Sequence, residues 1–472
     1  MSQPRIVISA LRGGSGKTIL SLGMAAEWSE MGYRVAAFKK GPDFIDSGWL
    51  SLAAGRPCHN LDPFMISREG LLYSFFRNSL DADLSLIEGN RGLFDGMDLK
   101  GRYSTAEVAK LLKCPVIVII DVTMTTRTAA AIVMGCQKFD PELDIAGVIL
   151  NRVAGKRQAG LVKESIETYC NIPVLGQIPK LKQNPFPERH MGLVPHLERE
   201  QAEKAVEWAK SIAEDHLDLQ RILEIARGAG PFPYSGTEEK EFPLHEDSPK
   251  ITPRIGFIRD KAFWFYYPEN LAQLGELGAQ LVEINSITSD RVPEVDALYI
   301  GGGFPEVQAE SLSSNADFRH WLRGAILGGL PVYAECGGLM YLGEGLILGE
   351  SYFPMVGALP IRFRLEEKPQ GHGYTILKVK EKNPYFPVGE TLKGHEFHYS
   401  RPIFDDLGDV HMVFEVERGH GLDGRRDGLT RRNLLATYTH LHALGYRAWA
   451  ERFFEAAMFY KTNIKGHSDP PG

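Results

Sequence analysis

Along the first 180 residues, short apolar runs alternate with longer stretches whose apolar positions return at helical spacing. Arg5–Ala10, Tyr33–Phe38, Leu84–Glu88, Pro115–Asp121, Ile145–Leu150 and Pro173–Ile178 read as strands. Between the first two, Thr18–Gly32 sets Leu20, Met24, Trp28 and Met31 at the spacing of one helical face. β-branched runs separated by helical segments predict a parallel sheet covered on both sides. The stretch from Gln201 to about Arg227 is helical and charged, and Gly228–Pro253, rich in Gly, Pro, Glu and Ser, carries no period. A second α/β pattern follows, with strands expected at Arg254–Ile258, Gln280–Ile284, Ala297–Ile300 and Pro331–Glu335 and a helix near Asn270–Gly278. Beyond Tyr352 the pattern turns β-rich, as in Tyr374–Val379 and Met412–Val416, before a final helix around Tyr446–Tyr460. The expected fold class is α/β, with a parallel-sheet domain over 1–227, a linker over 228–253 and a second α/β domain over 254–465.

Composition narrows the function. The 472 residues are 43% hydrophobic and 24% charged, which suits an ordinary globular core. A net charge of −7, without a basic block, argues against a nucleic-acid surface and a polybasic membrane anchor. No apolar run approaches the ~18 residues of a membrane span. The N-terminus passes within a few residues into a glycine-rich loop and does not read as a signal peptide. Five scattered cysteines without a Cys-x-x-Cys pair support neither a disulfide framework nor a zinc site. The expectation is a cytoplasmic enzyme.

Two stretches carry chemistry. Arg12 is followed by Gly13, Gly14, Ser15, Gly16, Lys17 and Thr18, between a strand and a helix. Such a loop converges backbone N–H groups on phosphate oxygens, brings Lys17 to the β- and γ-phosphates and lets Thr18 ligate Mg²⁺. It looks like the deviant double-glycine loop of the ParA, MinD and dethiobiotin synthetase group, with Arg12 in place of their frequent signature lysine. ATP is the expected nucleotide. Asp43, Asp46, Glu88 and Asp95 follow later strands of the same sheet, where carboxylates converge on a ligand crevice. They are candidates to orient an acceptor, and Asp43 and Glu88 are expected to join Thr18 on the metal. Lys39 and Lys40 could neutralise phosphate or a polycarboxylate. Asn151, which ends a strand, resembles the adenine-reading asparagine of that group, while a turn asparagine is the plainer alternative.

The second stretch, Pro331–Met340, reads as strand, Cys336, two glycines and helix, the pattern of a nucleophile elbow. The following helix N-terminus is expected to lower the thiol pKa. Backbone N–H groups of Gly337 and of the Gly301–Pro305 loop, at Gly303, are the candidate oxyanion donors. His440 and His442 follow the strand Leu434–Tyr438. Both are candidate bases on one face, and strand geometry does not separate them.

A nucleotide site beside a cysteine amide-hydrolysing site describes a glutamine-dependent amidoligase. The stretches Phe38–Trp49, Asn60–Asp62, Glu88–Gly96, Arg189–Val194, Phe263–Asn270, Tyr299–Glu306, Glu335–Gly338, Gly394–Ser400 and Tyr438–His442 together resemble the cobyrinic acid (hydrogenobyrinic acid) a,c-diamide synthase family. The resemblance implies a P-loop, dethiobiotin-synthetase-like N-terminal domain and a class I glutamine amidotransferase-like C-terminal domain. It implies that ATP and L-glutamine drive amidation of the a- and c-acetate groups of cobyrinic acid through acyl phosphates, with ammonia crossing between domains by a protected path. It also implies that Cys336 is the nucleophile and His440 its base, with no clear counterpart for the usual third acid. Asn90 and Arg91 replace small or apolar residues, and Ala443 follows His442 where phenylalanine is usual. Nickel-sirohydrochlorin or sirohaem therefore remain alternative acceptors. A ParA/MinD-like ATP switch with an inert C-terminal module is the distant alternative. Neither a nucleic acid nor a membrane is expected as a partner, and a homodimer stays open.

Overall fold

The computed structural model describes residues 3–181, 186, 188–189, 192–193, 202–234, 252–291, 293–404 and 406–464. The chain divides into two compact units, Met1–Phe242 and Pro243–Gly472. Most of the predicted linker, 235–251, lies outside the described residues, as do His190, Met191 and Val194 of the Arg189–Val194 stretch.

In the first unit the strands are β1 (Arg5–Ala10), β2 (Val35–Lys40), β3 (His59–Leu61), β4 (Leu84–Glu88), β5 (Val116–Asp121), β6 (Ile145–Val153) and β7 (Val174–Pro179). They form one parallel sheet in the order β3-β2-β4-β1-β5-β6-β7. The sequence pattern misses β3, whose three residues are too few to show a period. Helix α1 (Lys17–Glu30) follows β1, and α2 (Phe44–Ala54) follows β2. Because α1 stops at Glu30, Met31 is 56% exposed instead of sharing the buried face with Leu20, Met24 and Trp28. The stretch read as one helix after Gln201 is two, Ala202–His216 and Leu219–Arg227. The first of these lies against α1 at Gly23, where a Cβ would fall 2.2 Å from the Ala209 carbonyl oxygen. A mid-helix glycine costs up to about 1 kcal/mol, and here it permits backbone-to-backbone approach.

Strand register sets the chemistry at one end of this sheet. Glu88 pairs with Ile8 of β1 and with Lys39 of β2, and Asp121 pairs with Asn151. These polar side chains therefore stand level where β1 runs into the glycine loop.

The second unit carries a ten-stranded sheet. Gln280–Ile284, Arg254–Ile258, Ala297–Ile300, Val332–Glu335 and Leu434–Thr437 run parallel in that order. The sheet continues antiparallel through Arg426–Arg431, His411–Arg418, Gly371–Val379 and Thr391–His398, to a two-residue strand, His440–Leu441. One correction follows for the expected base-bearing strand. It ends at Thr437, and after a bend His440 pairs instead with His395 at the far end of the strand order. The last helix is Ala448–Phe459. No helix among the described residues is long and apolar enough to cross a membrane.

Two candidate active sites

In the first unit, glycine supplies the conformations the loop needs. Gly14 and Gly16 have φ of 69° and 91°, and a Cβ on Gly16 would sit 2.7 Å from Asn151 Nδ2. Ser15 Oγ donates to the Arg12 carbonyl at 3.1 Å. Lys17 Nζ donates to that same carbonyl at 3.2 Å and to the Arg91 carbonyl at 2.8 Å. Arg91 is itself left-handed, with φ 52°, a conformation that costs a residue with a Cβ some energy. Burial holds the Lys17 ammonium below its ordinary pKa, with Glu88 opposing and Lys39 reinforcing the shift. Asn151 Nδ2 donates to the Ser15 carbonyl at 2.9 Å, and its Oδ1 accepts from Arg152 N at 2.8 Å. Here Asn151 braces the loop. Asp121 holds Arg12 at 2.9 Å and Arg152 at 2.8 Å beside it.

Behind the loop lies an ionic cluster. Lys39 Nζ bridges Asp46 Oδ2 at 2.6 Å and Glu88 Oε1 at 2.8 Å, and Thr18 Oγ1 donates to Glu88 Oε1 at 2.8 Å. Burial alone would lower the Lys39 pKa, but Asp46, Glu88 and Asp43 outweigh it and hold the ammonium above its usual range. Asp46 Oδ2 also reaches Thr18 Oγ1 at 3.4 Å. Asp43 does not join them, because its carboxylate caps α2 by accepting from Asp46 N at 2.9 Å. The expectation set Asp43 beside Thr18 and Glu88; here Asp46 Oδ2 meets Thr18 while Asp43 Oδ1 caps α2. Burial, and then the neighbouring Asp46, raise the Asp43 pKa. Asp95 likewise closes its own loop, with Oδ2 accepting from Gly92 N at 2.9 Å. Lys40 is buried, and desolvation lowers its pKa against the pull of Asp62. No group of three or more His, Cys, Asp or Glu among the described residues is arranged to hold a metal ion. Glu88 Oε2, however, is fully buried with no hydrogen-bond partner among them. One or two carboxylates and a hydroxyl are the hard donors Mg²⁺ takes when phosphates and water complete its shell. Thr18, Glu88 and Asp46 fit that ion.

The second unit builds its site from strained backbone. Cys336 ends the strand Val332–Glu335 with φ 47° and ψ −102°, directly before the helix Gly337–Leu342. Its neighbours must be small. A Cβ on Gly337 would lie 3.0 Å from Gly303 N, and one on Gly338 would lie 2.5 Å from the Ile300 carbonyl oxygen. The structure thus brings Gly337 and Gly303, the expected oxyanion donors, against one another. His440 presents its Cε1–Nε2 edge to the two-residue strand Gly302–Gly303, with Nε2 3.1 Å from where a Gly302 Cβ would be. On the other side, His440 Nδ1 lies 3.4 Å from Glu335 Oε2. The His395 ring stacks on the His440 ring with centroids 4.9 Å apart. Burial, then His440 and His372, hold the His395 imidazole well below its ordinary pKa. The thiol is 3% exposed and donates to the Phe397 carbonyl at 3.6 Å. Burial pushes its pKa up, Glu306 and Glu335 add to the shift, and the Gly337 N–H opposes it. The expected lowering by the helix terminus is overturned, since a six-residue helix cannot offset full desolvation beside acids.

Residues 6–194 match the CobQ/CobB/MinD/ParA nucleotide binding domain, and residues 254–448 match the CobB/CobQ-like glutamine amidotransferase domain. The cobyrinate a,c-diamide synthase of Archaeoglobus fulgidus is 45% identical over 97% of this chain and 98% of its own length. The protein of the same name from Magnetococcus marinus is 42% identical over 95% and 96%. That of Methanosarcina acetivorans is 38% identical over 98% and 97%. The chain belongs to the cobyrinate a,c-diamide synthase family.

Within this cobyrinate a,c-diamide synthase family member, sequence reasoning overlooked the surroundings of His440. His442 is turned away from the thiol strand: its Nε2 is 3.5 Å from Glu269 Oε2, and its ring packs on Tyr267 at 4.6 Å. Glu335 and His395 complete the His440 cage, and no short-range pattern marks either. The Asp43 cap, by contrast, was signalled: an acid three residues before another at a helix start is a capping pattern.

Proposed function

We propose that the chain amidates the a- and c-acetate carboxylates of cobyrinic acid, using MgATP and glutamine, in cobalamin synthesis. The observation that carries the reading is the Cys336 elbow, whose strained backbone turns into the Gly302–Gly303 strand that His440 also faces. Cys336 attacks the glutamine carboxamide while its proton passes to His440 Nε2, and the N–H groups of Gly337 and Gly303 stabilise the developing oxyanion. Ammonia leaves, and water then releases glutamate from the thioester. Burial holds the resting thiol above its ordinary pKa, so the reading has the proton move to His440 as Sγ attacks.

In residues 1–227 a substrate carboxylate attacks the γ-phosphate of ATP, giving the acyl phosphate that ammonia displaces. Positioning and charge neutralisation dominate such a step. Lys17 offsets phosphate charge once ATP replaces the two carbonyls it now binds. Thr18, Glu88 and Asp46 would hold Mg²⁺, which would supply neutralisation of β- and γ-phosphate charge. Lys39, which lies beside Asp46 and Glu88, is the cation this reading assigns to the acceptor carboxylate. Product masses after incubation with ATP, glutamine and, in parallel, cobyrinic acid, nickel-sirohydrochlorin and sirohaem test the reading. A gain of two amides on cobyrinic acid alone supports it, and amidation of only another tetrapyrrole would reject the acceptor.

A further inference from the structure

Glu335 immediately precedes the nucleophile, yet its side chain serves a histidine 105 residues away. The carboxylate is 1% exposed, and a charge so deep in a protein persists only when fully paired. Both oxygens are engaged. Oε1 accepts from Leu441 N and from Tyr333 OH, each at 3.1 Å. Oε2 accepts from Tyr299 OH at 3.1 Å and lies 3.4 Å from His440 Nδ1. One carboxylate thus grips both the backbone beside His440 and the ring itself. The position two residues beyond the base is His442, which faces Glu269. Neighbouring His395, stacked on the ring, has its own Nδ1 3.2 Å from Tyr267 OH.

We infer that Glu335 is the positioning residue of the glutaminase site, an acid supplied by the residue before the nucleophile. By accepting from Nδ1–H it selects the tautomer whose Nε2 lone pair faces the Gly302 strand, and it steadies the imidazolium formed when the thiol proton moves there. The proton goes from Sγ to Nε2 and then to the departing ammonia. The arrangement also joins elbow and base, because Glu335 and Cys336 are consecutive and any shift of the elbow moves the group that aims the ring. This inference rests on Cys336 and His440 being nucleophile and base.

The test is glutamate release by the full chain and its variants Glu335→Gln, Glu335→Asp, His440→Ala, the Glu335→Gln/His440→Ala double variant, and Cys336→Ala. Glutamine is isosteric, but its amide would donate to Nδ1 and favour the opposite tautomer. Glu335→Gln should lower kcat by about 10²-fold and leave the glutamine KM within about threefold. It should add nothing to His440→Ala, since a group acting through the ring has no effect without it. Rates within threefold of the wild type, or a multiplicative loss in the double variant, would overturn the inference. If the amide variant does not fold, as read by thermal unfolding, Glu335→Asp decides: it keeps the charge but withdraws it by one methylene. A kcat loss of about tenfold or more supports the inference, and an unchanged kcat rejects it. Glutamate release by Cys336→Ala at the wild-type rate would instead show that the nucleophile reading itself had failed.

Discussion

The phosphate-loop site and the thiol site solve opposite problems. The first gathers charge: Lys39, Glu88 and Asp46 sit with Thr18 in one hydrogen-bonded cluster behind the loop that carries Lys17, and glycines supply the loop's left-handed turns. Its cations and carboxylates stabilise one another until phosphate and metal take their places. The second excludes water. Its thiol is desolvated, its histidine is 1% exposed, and its reactivity rests on a left-handed Cys336 and on neighbours with no side chain. A phosphoryl-transfer site is preorganised by electrostatics, whereas a thiol site is preorganised by backbone shape and the orientation of one ring.

The strongest way to break this comparison is to remove each centre and ask whether the other still works. Cys336→Ala should lower glutamine-driven amidation by at least ~10⁴-fold, because no other group there forms the thioester. Activity with ammonium salts should persist, and its loss would mean that the two sites are not separable. Lys17→Ala should lower amidation from both nitrogen sources by about 10³-fold, the scale of losing a buried charge at the transferred phosphoryl group. Full ammonium-driven turnover in that variant would show that the loop is not the phosphate site.

Smaller effects sharpen the contrast. Asp427 is fully buried and fastens the base-bearing segment, accepting from Thr437 Oγ1 at 2.7 Å and from Tyr438 N at 3.2 Å. Burial raises its carboxyl pKa from 3.8 to about 6. Folding then favours the protonated form, so this stability is complete below the unfolded value and is lost as pH rises through about 6. The difference amounts to on the order of 3 kcal/mol. Asp427→Asn should flatten that part of the stability curve, which urea unfolding at a series of pH values would read; an unchanged slope would place the titration elsewhere. His440→Ala should lower glutaminase kcat by about 10²-fold, while His442→Ala, packed on Tyr267 and Glu269, should leave it within about threefold. The reverse result would transfer the base to His442.

Much of this was legible in one dimension. The period of apolar positions determined two α/β units and most strand positions, because burial on both faces of a parallel sheet demands continuous β-branched runs. Glycine spacing marked both sites, since a phosphate loop and an elbow need φ values or close approaches that only glycine permits at low cost. Tertiary structure alone decided how separate segments meet. Asp46 meets Thr18 while Asp43 Oδ1 caps α2, a division of roles between two acids three residues apart. His440 left the strand that seemed to carry it, because a bend after Thr437 delivers it to the edge formed by Thr391–His398. The thiol pKa rose instead of falling, since burial and nearby acids outweigh one short helix. Glu335 met His440 across 105 residues, a contact set by strand order and register, which no local pattern encodes.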